Sequence, residues 1–192
     1  MKHSINHAAL VISRVFEPIA VLPALAFVGG ARAGLGQSEL LFYTLFLLCS
    51  VLVPVGLFIR WRRKVKVIPW DMPDRRTRIR PLIIGSLLAL VYFFAVSAFH
   101  NDYLNRLFLL LAVWVIGFTA MTSRWKISGH AGSIAFAVGL FVLWFGYPAW
   151  PLLVLVPLVG WARVKGRNHT VPEVIGGVLY SWFLVLIFGL QK

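Results

Sequence analysis

Seven apolar runs, each near the length of a membrane-crossing helix, constrain this chain more than any other feature. They lie at about 13–30, 39–60, 81–100, 104–122, 130–147, 149–163 and 171–190. A helix rises ~1.5 Å per residue, so crossing ~30 Å of hydrocarbon takes ~20 residues. The runs lack two-residue alternation and outlast ordinary strands, so they predict helices. Composition points the same way. Of 192 residues, 60% are hydrophobic and 13% charged, against roughly 25% charged in a soluble domain. Apolar surface in that amount cannot all be hidden inside, and lipid must solvate the rest. The expected fold class is all-α, a polytopic transmembrane helix bundle of seven helices. Six is the count if the short sixth run, which holds Pro151 and Pro157, does not cross. The chain reads as a single integral-membrane domain, 1–192.

Lys2 followed by an apolar stretch, with Ala31-Arg32-Ala33 after it, has the outline of a signal peptide. Arg14 and Glu17 interrupt the apolar centre that such a signal needs, so the first run is expected to be a retained helix. Three residues apart on one helix face, these two side chains are expected to pair and lower each other's cost in lipid. Cys49, the only cysteine, excludes a disulfide framework and a cysteine metal site. His3, His7 and His100 have no evident partners in the sequence and read as interfacial.

The net charge is +13, and its distribution is informative. Residues 60–80 carry nine Arg or Lys, and 123–129 and 162–169 are also basic. Seven alternating helices put these three segments on one side of the membrane. With Lys2 and Arg14, that side has 16 of the 19 Lys and Arg, since only Arg32, Arg106 and Lys192 fall elsewhere. The tendency of basic loops to stay inside makes this face cytoplasmic. Nucleic acid is not the expected partner, because the basic residues sit in short loops between apolar runs. Phosphate-bearing lipids and an anionic membrane surface fit that placement.

The same segments hold chemically versatile residues. The first ends Asp74-Arg75-Arg76-Thr77-Arg78-Ile79-Arg80-Pro81. The second is Lys126-Ile127-Ser128-Gly129-His130, and the third contains Arg163, His169 and Glu173. Phosphoryl transfer needs fixed donors around the oxygens, a nucleophile in line and an acid for the leaving group. Arginine's planar fork gives paired hydrogen bonds to phosphate. A Ser-Gly-His at a helix start offers open backbone N–H groups toward an anion. Two histidines can divide the nucleophilic and acid roles.

Arg80-Pro81, Ser128-Gly129-His130, and Arg163 with His169 and Glu173 at five and three intervening residues together resemble the type 2 phosphatidic acid phosphatase superfamily. Its signature is KxxxxxxRP, PSGH and SRxxxxxHxxxD. Order, gaps and the parity of helices between motifs agree over about residues 60–190. The resemblance implies a haloperoxidase-like helical core over 61–192, preceded by two helices in 1–60. It implies a metal-independent, cofactor-free lipid phosphatase acting on an isoprenoid (polyprenyl) phosphate or diphosphate, or a glycerolipid phosphate. His169 would be the nucleophile, forming a phosphohistidine that water hydrolyses. Glu173 would orient it, and His130 would protonate the leaving group. Arg80 and Arg163 would hold the phosphoryl oxygens, assisted by Ser128 and the Gly129 N–H.

The chain departs from that signature at four positions. Ile127 replaces the proline before Ser-Gly-His, Ala162 the serine before arginine, Pro73 the first lysine, and Glu173 the aspartate. Arg75, Arg76, Arg78 or Lys126 would then supply the missing charge. Arg75 and Arg78 are preferred because Asp74-Arg75-x-x-Arg78-x-x-Pro81 resembles a variant first motif.

Structural roles compete with these. Thr170-Val171-Pro172-Glu173 is a capping box, and Glu173 serves both roles only if its carboxylate is shared. His130 has the alternative of simply occupying a helix start. Arg60, Arg62, Arg63 and Lys64 read as topology determinants or headgroup anchors. Asp71 and Asp74 have the spacing of a magnesium-binding Asp-x-x-Asp, but among so many arginines they do not point to a metal. Two further functions remain open beside hydrolysis: phosphotransfer to an alcohol by the same site, and non-catalytic binding of lipid phosphate.

Overall fold

Apolar runs of this length form helices because each backbone N–H and C=O must be satisfied within its own segment, and the computed structural model is built accordingly. It describes residues 2–65 and 75–189, apart from the side chains of 2–6, 57–58, 61–65 and 75–77. Among the described residues there are eight α-helices and no strands. They are α1 (Lys2–Val15), α2 (Pro18–Arg32), α3 (Gln37–Val65), α4 (Arg75–Val96), α5 (Asp102–Arg124), α6 (Gly129–Phe145), α7 (Leu155–Lys165) and α8 (Val171–Phe188). Among the described residues five stretches are long and apolar enough to cross a membrane, and six if α1 and α2 form one bent span.

Two of the expected runs differ in detail. The first is two helices meeting at 40°, because Pro18 lacks an N–H and drives Glu17 out of helical geometry. The carbonyl of Glu17 instead caps α2, accepting from Ala20 N and Val21 N at 2.8 and 3.0 Å. The sixth run, the doubtful one in sequence, passes the length test. Tyr147–Val154 is a 3₁₀ helix leading into α7. Because 3₁₀ turns rise ~2.0 Å per residue, the 19 residues of Tyr147–Lys165 reach about 32 Å. It is α6, with 17 residues and about 26 Å long, that falls just short.

The chain divides into two compact units. One comprises Met1–Leu22 and Val113–Lys192. In it α6 packs against α7 and α8, and its small residues Ala131, Gly132, Ser133, Ala135 and Ala137 are buried, which permits close helix approach. Ile134, Ala135, Val138, Val156 and Val159 form a core flanked by Ile12, Phe16, Val21, Val178 and Trp182. That core lies near mid-length of α6, α8 and the Tyr147–Lys165 stretch, so the Arg14–Glu17 ion pair, 2.7 Å long, sits at the same depth. The expected pairing is present, and it bridges the break between α1 and α2. A buried polar chain joins α5 to α8: Trp114 Nε1 donates to Ser181 Oγ at 2.9 Å, and Ser181 Oγ donates to the Gly177 carbonyl at 2.9 Å.

The other unit is Pro23–Ala112. Tyr43 anchors it, stacking edge-on to Phe99 and Phe108 and donating to the Ala26 carbonyl at 2.7 Å. Asn101 caps α5 at Leu104 N and donates to the Ala33 carbonyl. Only 6% of the apolar window of α4 is buried. Leu87, Val91 and Phe94 stand exposed along it, the surface that lipid tails solvate.

Candidate phosphoryl-transfer site

Four residues, 125–128, connect α5 to α6. Ser128 is extended (φ −82°, ψ 111°) and caps α6, its Oγ accepting from Ala131 N. Its own N–H donates to the Glu173 carbonyl, in the first turn of α8, at 2.9 Å. One turn further along α8, Gly177 lies so close that a Cβ there would stand 2.5 Å from the Ser128 carbonyl oxygen. The beginning of α6 is therefore hung, backbone to backbone, on the beginning of α8.

The turn between α7 and α8 is a Schellman motif. Arg167 N donates to the Val164 carbonyl and Asn168 N to the Arg163 carbonyl, at 3.0 and 3.1 Å. Arg167 occupies the left-handed position, with φ 57°, where glycine is the usual choice. His169 N also points to the Arg163 carbonyl, at 3.3 Å. Ending α7 in this way delivers His169 beside Arg163, whose side chain is 1% exposed. From the other side, Lys126 Nζ donates to the Asn168 carbonyl at 3.0 Å.

The His169 side chain is 1% exposed, and its Nδ1 lies 3.0 Å from Glu173 Oε2. A carboxylate only accepts, so Nδ1 carries the proton and reaction falls to Nε2. The same Oε2 accepts from Thr170 N at 3.0 Å, closing the capping box. One oxygen thus makes both the capping bond and the bond to His169.

The structure thus gathers Lys126, Ser128, Gly129, His130, Arg163, His169 and Glu173 in one unit, where α6 and α8 begin and α7 ends. His130 is half-buried in the first turn of α6. Lys126, a candidate phosphate ligand in sequence, spends its ammonium group at least partly on a backbone carbonyl. Arg78 and Arg80 lie in the first turns of α4, half-buried and exposed respectively, and belong to the other unit. Arg75 opens α4, but its side chain lies outside the described residues, as do those of Arg76, Asp71, Pro73 and Asp74. Among the described residues no three His, Cys, Asp or Glu side chains gather as a metal-binding group.

Gly177 and Asn168 were not evident as site residues. An acceptor carbonyl such as that of Asn168 has no sequence signature, and a glycine in an apolar helix reads as packing. No family model, curated protein or solved structure matches the chain.

Proposed function

We propose that this chain is a membrane lipid phosphatase that forms a phosphohistidine on His169, as a divergent relative of the type 2 phosphatidic acid phosphatases. One observation carries the reading. A buried histidine is bonded through Nδ1 to a carboxylate, beside a buried arginine and a Ser-Gly-His helix start.

The chemistry follows from those groups. Nε2 of His169 attacks phosphorus, the P–O bond to the lipid breaks, and His130 gives its proton to the departing oxygen. Glu173 stabilises the imidazolium that forms, as a carboxylate does for any histidine nucleophile. Arg163, with the Ser128 and Gly129 donors, neutralises charge on the phosphoryl oxygens. Water, deprotonated by His130, then attacks phosphorus, breaks the P–N bond and releases phosphate. The substrate class is an isoprenoid phosphate or diphosphate, or a glycerolipid phosphate, its tail remaining in the bilayer. The clustering of Lys and Arg in the segments at that end supports a cytoplasmic working face.

The test is phosphate release by purified protein from polyprenyl phosphates, polyprenyl diphosphates, phosphatidic acid and phosphatidylglycerophosphate, with His169→Ala as control. Release that disappears in the variant upholds the reading. Equal release by the variant, or none by the wild type from any substrate, overturns it. A phospholipid product formed on an added alcohol would mark transfer instead.

A further inference from the structure

Thr122, in the last turns of α5, is fully buried, and its Oγ1 makes no hydrogen bond among the described residues. Its neighbours on the same helix behave differently. Thr119 Oγ1 donates to the Val115 carbonyl and Ser123 Oγ to the Ala120 carbonyl, at 2.8 and 2.6 Å. Helical threonines ordinarily satisfy themselves in that way. An enclosed hydroxyl that does not is costly, and such groups mark places where a ligand or water completes the set.

Its neighbours along the chain pack against the candidate site. Phe118, one turn before Thr122, packs on Gly129, where a Cβ would stand 3.1 Å from the ring. Trp125, nearly one turn after, packs with Ile127 on Gly176 of α8. Phe118 and Thr122, one turn apart, share a face of α5, and Trp125 directly follows the helix, its N–H still bonded to the Met121 carbonyl. Thr122 is therefore flanked by two rings that pack on the first residue of α6 and on the first turns of α8. Burial is no obstacle to a binding role, because Ser128 and Arg163 are enclosed to the same degree, at 0% and 1% exposure.

We propose that Thr122 is a further phosphate-binding residue, its Oγ1 donating to an oxygen of the phosphoryl group held by Arg163 and the Ser128–Gly129 turn. This rests on the phosphatase reading above. Valine matches threonine in shape and lacks only the hydroxyl, so Thr122→Val isolates that group, while Thr122→Ser retains it.

Two measurements are made on the full chain in detergent: lipid-phosphate turnover with inorganic phosphate as inhibitor, and the rise in thermal midpoint on adding inorganic phosphate. Thr122→Val is expected to melt no lower than wild type without phosphate. It should lose about tenfold in phosphate affinity, the worth of one hydrogen bond to a charged group, and shrink the phosphate-induced rise. Thr122→Ser should restore both. Turnover with an unchanged phosphate response in the valine variant overturns the role of Thr122 alone. A lower midpoint in that variant, not rescued by serine, also overturns it, as a packing effect. A phosphate-induced rise that needs Thr122, without turnover by the wild type, upholds the site and overturns hydrolysis. Neither response in the wild type overturns both.

Discussion

Replacing Gly177 with alanine adds a single methyl group where the beginnings of α6 and α8 touch. The new Cβ would meet the Ser128 carbonyl oxygen at 2.5 Å, while real Cβ atoms essentially never come closer than 3.0 Å. The backbones must separate by at least the difference, about 0.5 Å, and neither can yield by a rotamer change. Overpacking of this kind costs about 1–3 kcal/mol. The Ser128 N–H bond to the Glu173 carbonyl lies one turn away on the same α8 face, so it lengthens together with the contact. Because Glu173 and His169 follow α8 while Ser128 and His130 follow α6, the two halves of the proposed site move apart. Misplacement on the order of 1 Å can cost about 100-fold in rate, and half that shift should cost about tenfold. The assay pairs thermal unfolding in detergent with phosphate release. Gly85→Ala is the control, since a Cβ at Gly85 meets nothing within 4 Å. Wild-type melting and wild-type turnover in Gly177→Ala would refute the proposed coupling of the helices.

Three other substitutions test the architecture by thermal unfolding. Glu17→Ala removes the carboxylate that pairs with Arg14 at 2.7 Å and should destabilise by about 1–3 kcal/mol. Adding Arg14→Ala should recover much of that, and strictly additive losses would disprove the pairing. Ser181→Ala strips the buried Trp114 indole N–H of its acceptor, an expected loss of about 1–3 kcal/mol. An unchanged midpoint would show that the α5–α8 bond is not made. Arg167→Gly should instead stabilise, by up to about 1 kcal/mol, because glycine adopts the left-handed turn without the penalty arginine bears. Destabilisation there would mean that the Arg167 side chain has a role its backbone geometry does not reveal.

The spans of α3, α4, α5 and α8 were legible because long apolar runs leave the backbone no other conformation in lipid. The break after α1 was also written in the sequence, in Pro18 directly following Glu17, but hydropathy averages over such a signal. The 3₁₀ entry to α7 was harder. Its prolines shorten the apparent helix, and only the larger rise of that geometry restores the length. At the candidate site, the resemblance to the phosphatase signature implied a His169–Glu173 pair, and the structure places Nδ1 3.0 Å from Oε2. Sequence offered Glu173 two roles that are compatible only through a shared carboxylate, and whether one oxygen makes both bonds depends on where the Thr170 N–H points. Lys126 looked like a phosphate ligand because charge is visible in sequence, whereas its carbonyl partner on Asn168 is not. Thr122 left no trace beyond sharing a face of α5 with Phe118, because lacking a partner is a property of three-dimensional surroundings.

The most direct test of the proposed phosphatase is to incubate the protein with a lipid phosphate labelled at phosphorus, quench it and map the label. Phosphate bound to His169, lost in acid and stable in alkali as a phosphoramidate should be, is the predicted result. Steady turnover with no histidine-bound label, undiminished when His169 is replaced, would contradict the account.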